Sequence, residues 1–280
     1  MTPLMIGLLW YFPTLFAFVI LGIILITRKG EITKESALKG AKMAPGYAFL
    51  LVLVLLTVKA ENVIQDRYHT GGEYTHLIYS IEGNTHIVYL QNLITNYYLL
   101  HTFSVIYLVT FLGIIVLTPI YLSLKGRVET LQLYTFGIVV NYAILVLFYL
   151  FFNVDVTSNY PPGTPVKPLL YQNPMYLELV HLVDRPSDCF PSGHVAITFF
   201  TFLVALKSDR NPRYIALTGA VFALTFFTVL YLGIHWILDS FSGMALGYFA
   251  YYAAGWGPVK RRLKAVVDRV NRIVINTEKT

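Results

Sequence analysis

The chain has 280 residues, 56% hydrophobic and 13% charged, and a mean hydropathy of +0.61, which indicates a membrane protein and excludes a soluble domain, a disordered chain and a coiled coil. Its single cysteine, Cys189, excludes a disulfide-rich scaffold, because one thiol forms no intrachain disulfide. The net charge of +6 does not indicate a nucleic-acid partner, because the basic residues lie between apolar segments and at the C-terminus, a pattern typical of membrane topology.

Seven apolar segments are predicted to cross the bilayer, because roughly 20 apolar residues span its hydrocarbon core. The first is expected to stay in the mature protein, since no basic region precedes it and no small-residue cleavage site follows it. We therefore predict an all-α, polytopic membrane bundle of about seven spans. The predicted spans are Pro3–Ile26, Ala44–Val58, Tyr98–Leu122, Thr130–Asn153, Ser192–Leu206, Tyr214–His235 and Leu238–Gly257.

The distribution of basic residues predicts the orientation of these spans. Seventeen of the 21 Lys and Arg residues fall in alternate connections and in the C-terminal tail, whereas the other connections hold four, together with nine acidic residues. Because cytoplasmic connections carry the excess of Lys and Arg, we expect the N-terminus outside and the C-terminus in the cytoplasm. This orientation requires an odd number of spans.

Two long connections, Lys59–Tyr97 and Val154–Pro191, are predicted to lie on the outer face. The second contains the proline-rich stretch Pro161–Pro165, which is predicted to be non-helical. Leu169–Val183 is expected to form short interfacial helices, because it mixes apolar and aromatic residues with few charges.

The basic tail is predicted to be an amphipathic helix, since its apolar residues recur at helical spacing opposite four arginines. It is expected either to lie on the anionic inner leaflet or to be a solvated helix. The apolar residues are Val266, Val267, Val270, Ile273 and Val274.

Residues suited to phosphoryl chemistry converge on the outer face in this topology. Ser192 is a good N-cap for the fifth span, and the N-terminus of that helix favours an anion. Gly193 permits close approach of a ligand to the backbone, and His194 is placed to exchange a proton there. His235 and Asp239 are four residues apart, so a helical path lets the carboxylate orient the imidazole for attack on phosphorus.

Three other interpretations of these residues stay open. A histidine at the end of a span often packs at the membrane interface without a chemical role. Two histidines and an aspartate also form a donor set for zinc, although no His-Glu-x-x-His motif occurs. Finally, outer His and Asp residues serve as a binding site or proton relay in a carrier or channel.

Two motifs resemble those of a known family. Cys189–His194 (CFPSGH) and Tyr231–Asp239 (YLGIHWILD) are similar to the second and third signature motifs of the type 2 phosphatidic acid phosphatase (PAP2) superfamily. The resemblance is specific over Arg185–Gly243 and extends more loosely to the helix pattern from about Tyr98 onward.

The resemblance implies a role for each matching residue. The residue matching His235 attacks phosphorus to form a phosphohistidine, and the one matching Asp239 orients it. The residue matching His194 protonates the leaving oxygen, while Ser192 and the Gly193 N–H match phosphate-binding groups. The resemblance implies no metal and no other cofactor.

Two family features are missing. The first motif, Lys-x6-Arg-Pro, requires a lysine seven residues before Arg185, where Glu178 stands. The third motif normally carries Ser-Arg at the positions of Thr228 and Val229. Two cationic groups that bind phosphate are therefore absent.

Lys167 and Arg185 are the basic residues of the second outer connection, and we expect them to take over phosphate binding. Their alternative role is ordinary interfacial charge, with Arg185 paired to Asp184 or Asp188. The loss of the motif arginine and the stretch Pro162–Pro168 look similar to the branch that contains inositol phosphorylceramide synthases. Enzymes of that branch transfer a phospho-alcohol group between lipids.

Together these observations predict an integral membrane lipid phosphatase or phosphotransferase. The expected organisation is N-terminal spans and an outer loop in 1–97, a PAP2-like core of up to six helices in 98–257, and a basic cytoplasmic tail in 258–280. The expected partners are the bilayer and a lipid whose headgroup phosphate lies at the extracytoplasmic surface, with water or an alcohol as acceptor.

Overall fold

The computed structural model describes residues 2–68, 72–160, 162–182 and 185–277, so Pro161, Val183 and Asp184 of the predictions above lie outside the described ranges. The described chain is helical and contains no β-strand, apart from an isolated bridge between Val154 and Asp188. The helices are α1 (Pro3–Ile26), α2 (Lys34–Tyr68), α3 (Thr75–Glu82), α4 (Thr85–Leu93), α5 (Tyr97–Leu124), α6 (Val128–Phe151), α7 (Pro174–His181), α8 (Gly193–Val204), α9 (Pro212–Tyr231), α10 (Ile237–Gly255) and α11 (Gly257–Thr277).

The predicted fold class, a polytopic helical membrane bundle, is confirmed. Among the described residues, five helices are long and apolar enough to cross a membrane, namely α1, α2, α5, α6 and α9. The other two predicted spans correspond to α8, which continues as a π-helix over Ala205–Asp209, and to α10. Large apolar side chains on α1, among them Phe12 and Phe16, point away from the bundle, as lipid-facing residues do.

The second span is longer than predicted. The sequence indicated Ala44–Val58, but α2 runs over 35 residues, so it is roughly 50 Å long and projects beyond a bilayer. Hydropathy missed its C-terminal end because that end is polar. There, Glu61 and Gln65 are buried against the neighbouring loop, where the Gln65 amide donates hydrogen bonds to Glu61, to Asp188 and to the carbonyl of Tyr149.

The basic tail is helical, as predicted, but it packs on protein. In α11, Val267 is buried against α2, and the Asn271 side chain accepts a 2.8 Å hydrogen bond from the backbone N–H of Gly46. Val266 and Ile273 of the same apolar face remain exposed. The helix is therefore docked on α2 along part of its apolar face, a contact that neither of the two expectations for the tail included.

Helix α8 lies between α6, α9 and α10, and it approaches α10 at backbone distance. A Cβ atom added at Gly243 would lie 2.5 Å from the carbonyl oxygen of Ser192, and one at Gly247 would lie 2.4 Å from that of Ala196. Ser192 N–H also donates a 3.0 Å hydrogen bond to the carbonyl of Asp239. The two glycines therefore let α8 and α10 begin side by side.

The two ends of the bundle differ in chemistry. At the end where α8 and α10 begin and α9 ends, which we call the site end, the short helices α3, α4 and α7 cover the bundle. The opposite end, which we call the basic end, carries a buried ionic network in which Lys125 Nζ lies 2.7 Å from Glu31 and 3.1 Å from Asp209. Tyr121 and Asn211 complete the network.

Burial lowers the pKa of Lys125, but its hydrogen bonds to Glu31 and Tyr121 and the charge of Asp209 outweigh burial and raise it above the usual value. The lysine therefore stays protonated throughout the neutral range. Its contribution to stability is fully present below the usual pKa of lysine and is lost only as the pH rises through the raised folded-state value.

Replacing Lys125 by Met should destabilise the protein by about 3 kcal/mol, because it leaves the fully buried carboxylate of Asp209 without its nearest cation. The measurement is thermal unfolding in detergent. The double variant Lys125→Met/Asp209→Leu should recover most of the loss, since it removes the unpaired charge. A double variant no more stable than Lys125→Met would show that the charge pair is not the cause.

Replacing Gly243 by Ala should lower the unfolding temperature and reduce any activity of the site end, because the new methyl group meets the Ser192 carbonyl and separates α8 from α10. Such overpacking costs about 1–3 kcal/mol. Gly255→Ala in the same helix is the matched control, because its Cβ has no neighbour within 4 Å. Equal behaviour of the two variants would contradict the close-approach explanation.

Candidate active site

The site end brings His235 and Asp239 together around the start of α10. Asp239 Oδ2 lies 3.4 Å from His235 Nδ1 and accepts a 3.1 Å hydrogen bond from Trp236 N–H. Both side chains are buried, with 2% and 0% exposure. A carboxylate on Nδ1 directs the opposite ring nitrogen, Nε2, away from α10, which is the orientation that a nucleophilic histidine needs.

The loop before His235 makes a sharp turn at Gly233, whose φ is +76°. Residues with a side chain rarely adopt this conformation, and a Cβ atom there would also lie 2.7 Å from the carbonyl oxygen of Lys167. The turn returns the chain so that His235 N–H bonds the carbonyl of Val229 in α9. A glycine is therefore required between α9 and the histidine.

His194 lies in the first turn of α8 and faces His235, with 5.9 Å between the ring centroids. Its imidazole is held between two aromatic rings of α5, Tyr107 at 4.7 Å and Phe111 at 4.1 Å between centroids. This aromatic pair was not predicted, because rings at helical spacing in an apolar span are typical of core packing. The structure thus brings both predicted histidines and Asp239 into one cluster.

Ser192 is the N-cap of α8, as predicted, and its hydroxyl accepts a 3.3 Å hydrogen bond from Val195 N–H. Gly193 follows as the first helical residue, and a Cβ atom there would lie 2.8 Å from the hydroxyl of Tyr149. The start of α8, with its positive dipole end, lies directly beside His235 and Asp239. An anion bound between the two helix starts would meet backbone N–H groups from α8.

Lys167 lies beside the Gly233 turn. The Gln91 side chain of α4 links the two segments, since it bonds both backbone groups of Lys167 and the carbonyl of Tyr231. The ammonium group of Lys167 points outward, 3.4 Å from the side-chain oxygen of Asn92. The backbone of Lys167 therefore forms a wall of the site, and its charge lies at the rim.

Arg185 pairs with the C-terminal end of α2. Its guanidinium lies 2.5 Å from the Asp66 carboxylate and donates a 2.8 Å hydrogen bond to the carbonyl of Asn62. Of the two partners that the sequence suggested, Asp184 lies outside the described residues. The sequence missed Asp66 because the length of α2 was underestimated. In this conformation the guanidinium anchors the connection between α6 and α8 on α2.

The structure also shows what stands where the two motif cations are missing. Glu178, at the position of the motif lysine, is exposed on α7. Thr228 and Val229, at the positions of Ser-Arg, are fully buried in α9. The described part of the site end is therefore poor in positive charge.

A carboxylate that the sequence analysis missed lies at the start of α10. Glu82, the last residue of α3, accepts hydrogen bonds from the backbone N–H groups of Ile237 at 2.9 Å and Leu238 at 2.6 Å. These are the first two residues of α10 and follow His235 closely. No sequence signal singled it out from the other acidic residues of the same connection, because its partner is 155 residues away in the chain.

The alternative interpretation as a zinc site named two histidines and an aspartate as ligands. Among the described residues, the group of candidate ligands is instead Cys189, His235 and Asp239, whose ligand atoms all lie within 4.8 Å of one another. The Cys189 thiol is buried and donates to the carbonyl of Ile234 at 3.3 Å.

Comparison with known proteins supports the resemblance. Residues 133–262 match the family model described as PAP2 superfamily, and this region contains all the predicted site residues. A curated relative, an undecaprenyl-diphosphatase of Sulfolobus acidocaldarius, is 29% identical over 102 residues, which cover 34% of this chain and 47% of the relative. The chain thus matches less than half of the length of that relative. No solved structure matches this chain.

The region that matches the family model covers only the second part of the chain. It includes α7–α10 and most of α6, but it excludes α1 to α5. Glu82 and the aromatic pair on α5 therefore come from outside the family model. They approach the matched region only because the chain folds over it.

Replacing Glu82 by Ala should lower kcat by roughly 10- to 100-fold with little change in KM, because the start of α10 loses its anchor and the His235–Asp239 pair shifts. Glu82→Gln keeps one hydrogen-bond acceptor, so its kcat should lie between those of the unaltered protein and of Glu82→Ala. The measurement is steady-state kinetics with a lipid phosphate as test substrate. The matched control is Glu73→Ala, which removes an exposed carboxylate of the same loop. If Glu82 had a purely structural role, its replacement would lower the amount of folded protein but would not lower kcat selectively over KM.

Proposed function

We propose that this protein is an integral membrane lipid phosphatase that acts through a phosphohistidine on His235. The observation that carries the proposal is the cluster of His194, His235 and Asp239 at the adjoining starts of α8 and α10, within the region that matches the PAP2 superfamily. The named activity of the Sulfolobus relative, a diphosphatase, belongs to the same class of reaction.

In the proposed first step, Nε2 of His235 attacks phosphorus while the bond from phosphorus to the leaving oxygen breaks. Asp239 holds Nδ1 and stabilises the positive charge that develops on the ring. His194 donates its proton to the leaving oxygen. In the second step, His194 takes a proton from water, and the resulting attack on the phosphohistidine releases phosphate and restores His235.

Ser192 and the N–H of Gly193 are proposed to bind the phosphate oxygens, supported by their position at the N-terminus of α8. Lys167 is proposed as the cation at the rim, since its backbone forms part of the site wall. Arg185 would act on the substrate only after leaving Asp66, so Lys167 has the more favourable geometry. The proposed reaction uses no metal ion.

The proposed location of the site is the extracytoplasmic surface. Support comes from the basic residues, which concentrate at the end of the bundle opposite to His235, as cytoplasmic residues do. The phosphate of a lipid headgroup would then reach the site end while its hydrocarbon chains stay in the bilayer. An isoprenyl diphosphate is the first substrate to test, because the relative is named for one.

A second candidate function is transfer of a phospho-alcohol group between lipids, and the charge of the site favours it. Glu82 and Asp239 are both acidic, whereas Lys167 is the predicted cation that borders the site. A phosphodiester carries one negative charge and a phosphomonoester carries nearly two near neutral pH, so a cation-poor site binds the diester at lower electrostatic cost. An alcohol would replace water in the second step.

Replacing His235 by Ala should abolish turnover and phosphoenzyme formation, because no other group is placed to attack phosphorus among the described residues of the cluster. His194→Ala should slow departure of the leaving group by about 10²-fold or more. The first measurement is incubation with a phosphorus-labelled isoprenyl diphosphate, a lipid phosphomonoester or a lipid phosphodiester, each with and without an alcohol. The second is trapping of the labelled phosphoenzyme, which should be sensitive to acid if it is a phosphohistidine.

The control is His181→Ala, an exposed histidine on α7 outside the cluster, which should keep full activity. Alcohol-dependent products from the diester would establish the transferase. Undiminished turnover by folded His235→Ala protein would reject the phosphohistidine. Absence of turnover on every lipid, together with solute flux in vesicles, would assign the chain as a carrier or channel.

A further inference from the structure

Three side chains of types that bind metals, one of them the proposed nucleophile, lie close together. The reaction proposed above uses only two of the three. Cys189 enters from the loop before α8, His235 from the turn after α9, and Asp239 from the first turn of α10. One donor atom of each lies within 4.8 Å of the other two. All three side chains are buried, at 1%, 2% and 0% exposure.

Asp239 provides a second observation that points to a ligand. Its Oδ2 atom is used by His235 and Trp236, whereas Oδ1 is buried and has no hydrogen-bond partner within the described residues. A buried carboxylate oxygen without a partner carries a large cost of desolvation. A cation at this position would remove that cost.

The electrostatic surroundings also favour a cation. Glu82 lies at the start of α10 and adds a second acidic group, while the ammonium of Lys167 lies at the rim and points toward Asn92. A divalent ion placed between Cys189, His235 and Asp239 would therefore contact one carboxylate and have a second one at the start of the same helix. Its charge would also stabilise the thiolate form of the cysteine.

The identity of the donors selects the kind of ion. Thiolate and imidazole ligands favour zinc and other thiophilic ions, whereas magnesium and calcium prefer oxygen ligands. Zinc bound at about 2.0–2.3 Å from each donor sets tetrahedral donors roughly 3.3–3.8 Å apart, so the present cluster needs a contraction of about 1 Å. Side-chain rotation supplies a movement of that size.

We propose that Cys189, His235 and Asp239 form a binding site for one thiophilic divalent cation, such as Zn²⁺, which inhibits the protein by occupying its nucleophile. On binding, the thiol releases its proton to water and the sulfur, the imidazole and the carboxylate each donate to the ion. Whichever ring nitrogen of His235 binds the ion, the other nitrogen of the neutral imidazole carries the proton, so neither keeps a lone pair to attack phosphorus. Binding of the ion is independent of the proposed function, whereas inhibition rests on it.

The test uses the purified, untagged full-length chain in detergent, titrated with Co²⁺ as a spectroscopic substitute for Zn²⁺. The expected result is a thiolate-to-cobalt charge-transfer band that Zn²⁺ displaces. Cys189 is the only cysteine of the chain, so this band reports on it alone. Mg²⁺ is the control ion and should neither displace cobalt nor affect activity.

Cys189→Ser is the decisive variant, because a hydroxyl keeps the hydrogen bond to the carbonyl of Ile234 but is a poor ligand for zinc. The band should disappear, and the Zn²⁺ concentration for half-inhibition of phosphatase activity should rise at least about 10-fold. Activity without metal should stay unchanged.

The outcomes separate the two proposals. A band that is lost in Cys189→Ser, without turnover of any lipid phosphate, would support the metal site and reject the proposed function. Turnover with no cobalt band, equal inhibition of both proteins by Zn²⁺, or activation by Zn²⁺ would overturn the inhibitory site.

Discussion

The site depends on the approach of α8 and α10 at backbone distance. Gly243 leaves room for the carbonyl of Ser192, and the N–H of Ser192 bonds the carbonyl of Asp239. Because the two helices start side by side, His194 on one and the turn that carries His235 before the other face each other. Neither histidine would meet its partner if a side chain separated the helices.

The two ends of the bundle differ in how their buried charges are balanced. At the basic end, the charges of Glu31 and Asp209 are balanced by two cations, Lys125 and Arg127, which lie 3.1 Å and 3.9 Å from Asp209. The site end differs, because Glu82 and Asp239 both lie at the start of α10 and two cationic positions of the family motifs are occupied by Glu178 and Val229. This imbalance underlies the proposals that the site accepts a phosphodiester and that it binds a cation.

The N-terminal helices support the site in a way that the family match does not cover. Helix α5 holds the His194 ring between Tyr107 and Phe111, α3 delivers Glu82 to the start of α10, and α4 delivers Gln91 to the loop before His235. These contacts come from residues before the matched region, which begins at residue 133. The matched helices thus carry the motif residues, and the preceding segment orients them.

The sequence by itself determined the membrane class, the helical spans and the local geometry of the motifs, because hydropathy and short spacings are local properties. Ser192 as an N-cap and the His235–Asp239 pair, four residues apart, follow from such spacings. Only the tertiary structure decided that α2 is long enough to bind Arg185 through Asp66, that Glu82 caps α10 and that α11 docks on α2. These contacts join residues more than 100 positions apart, so neither hydropathy nor spacing within one segment predicts them.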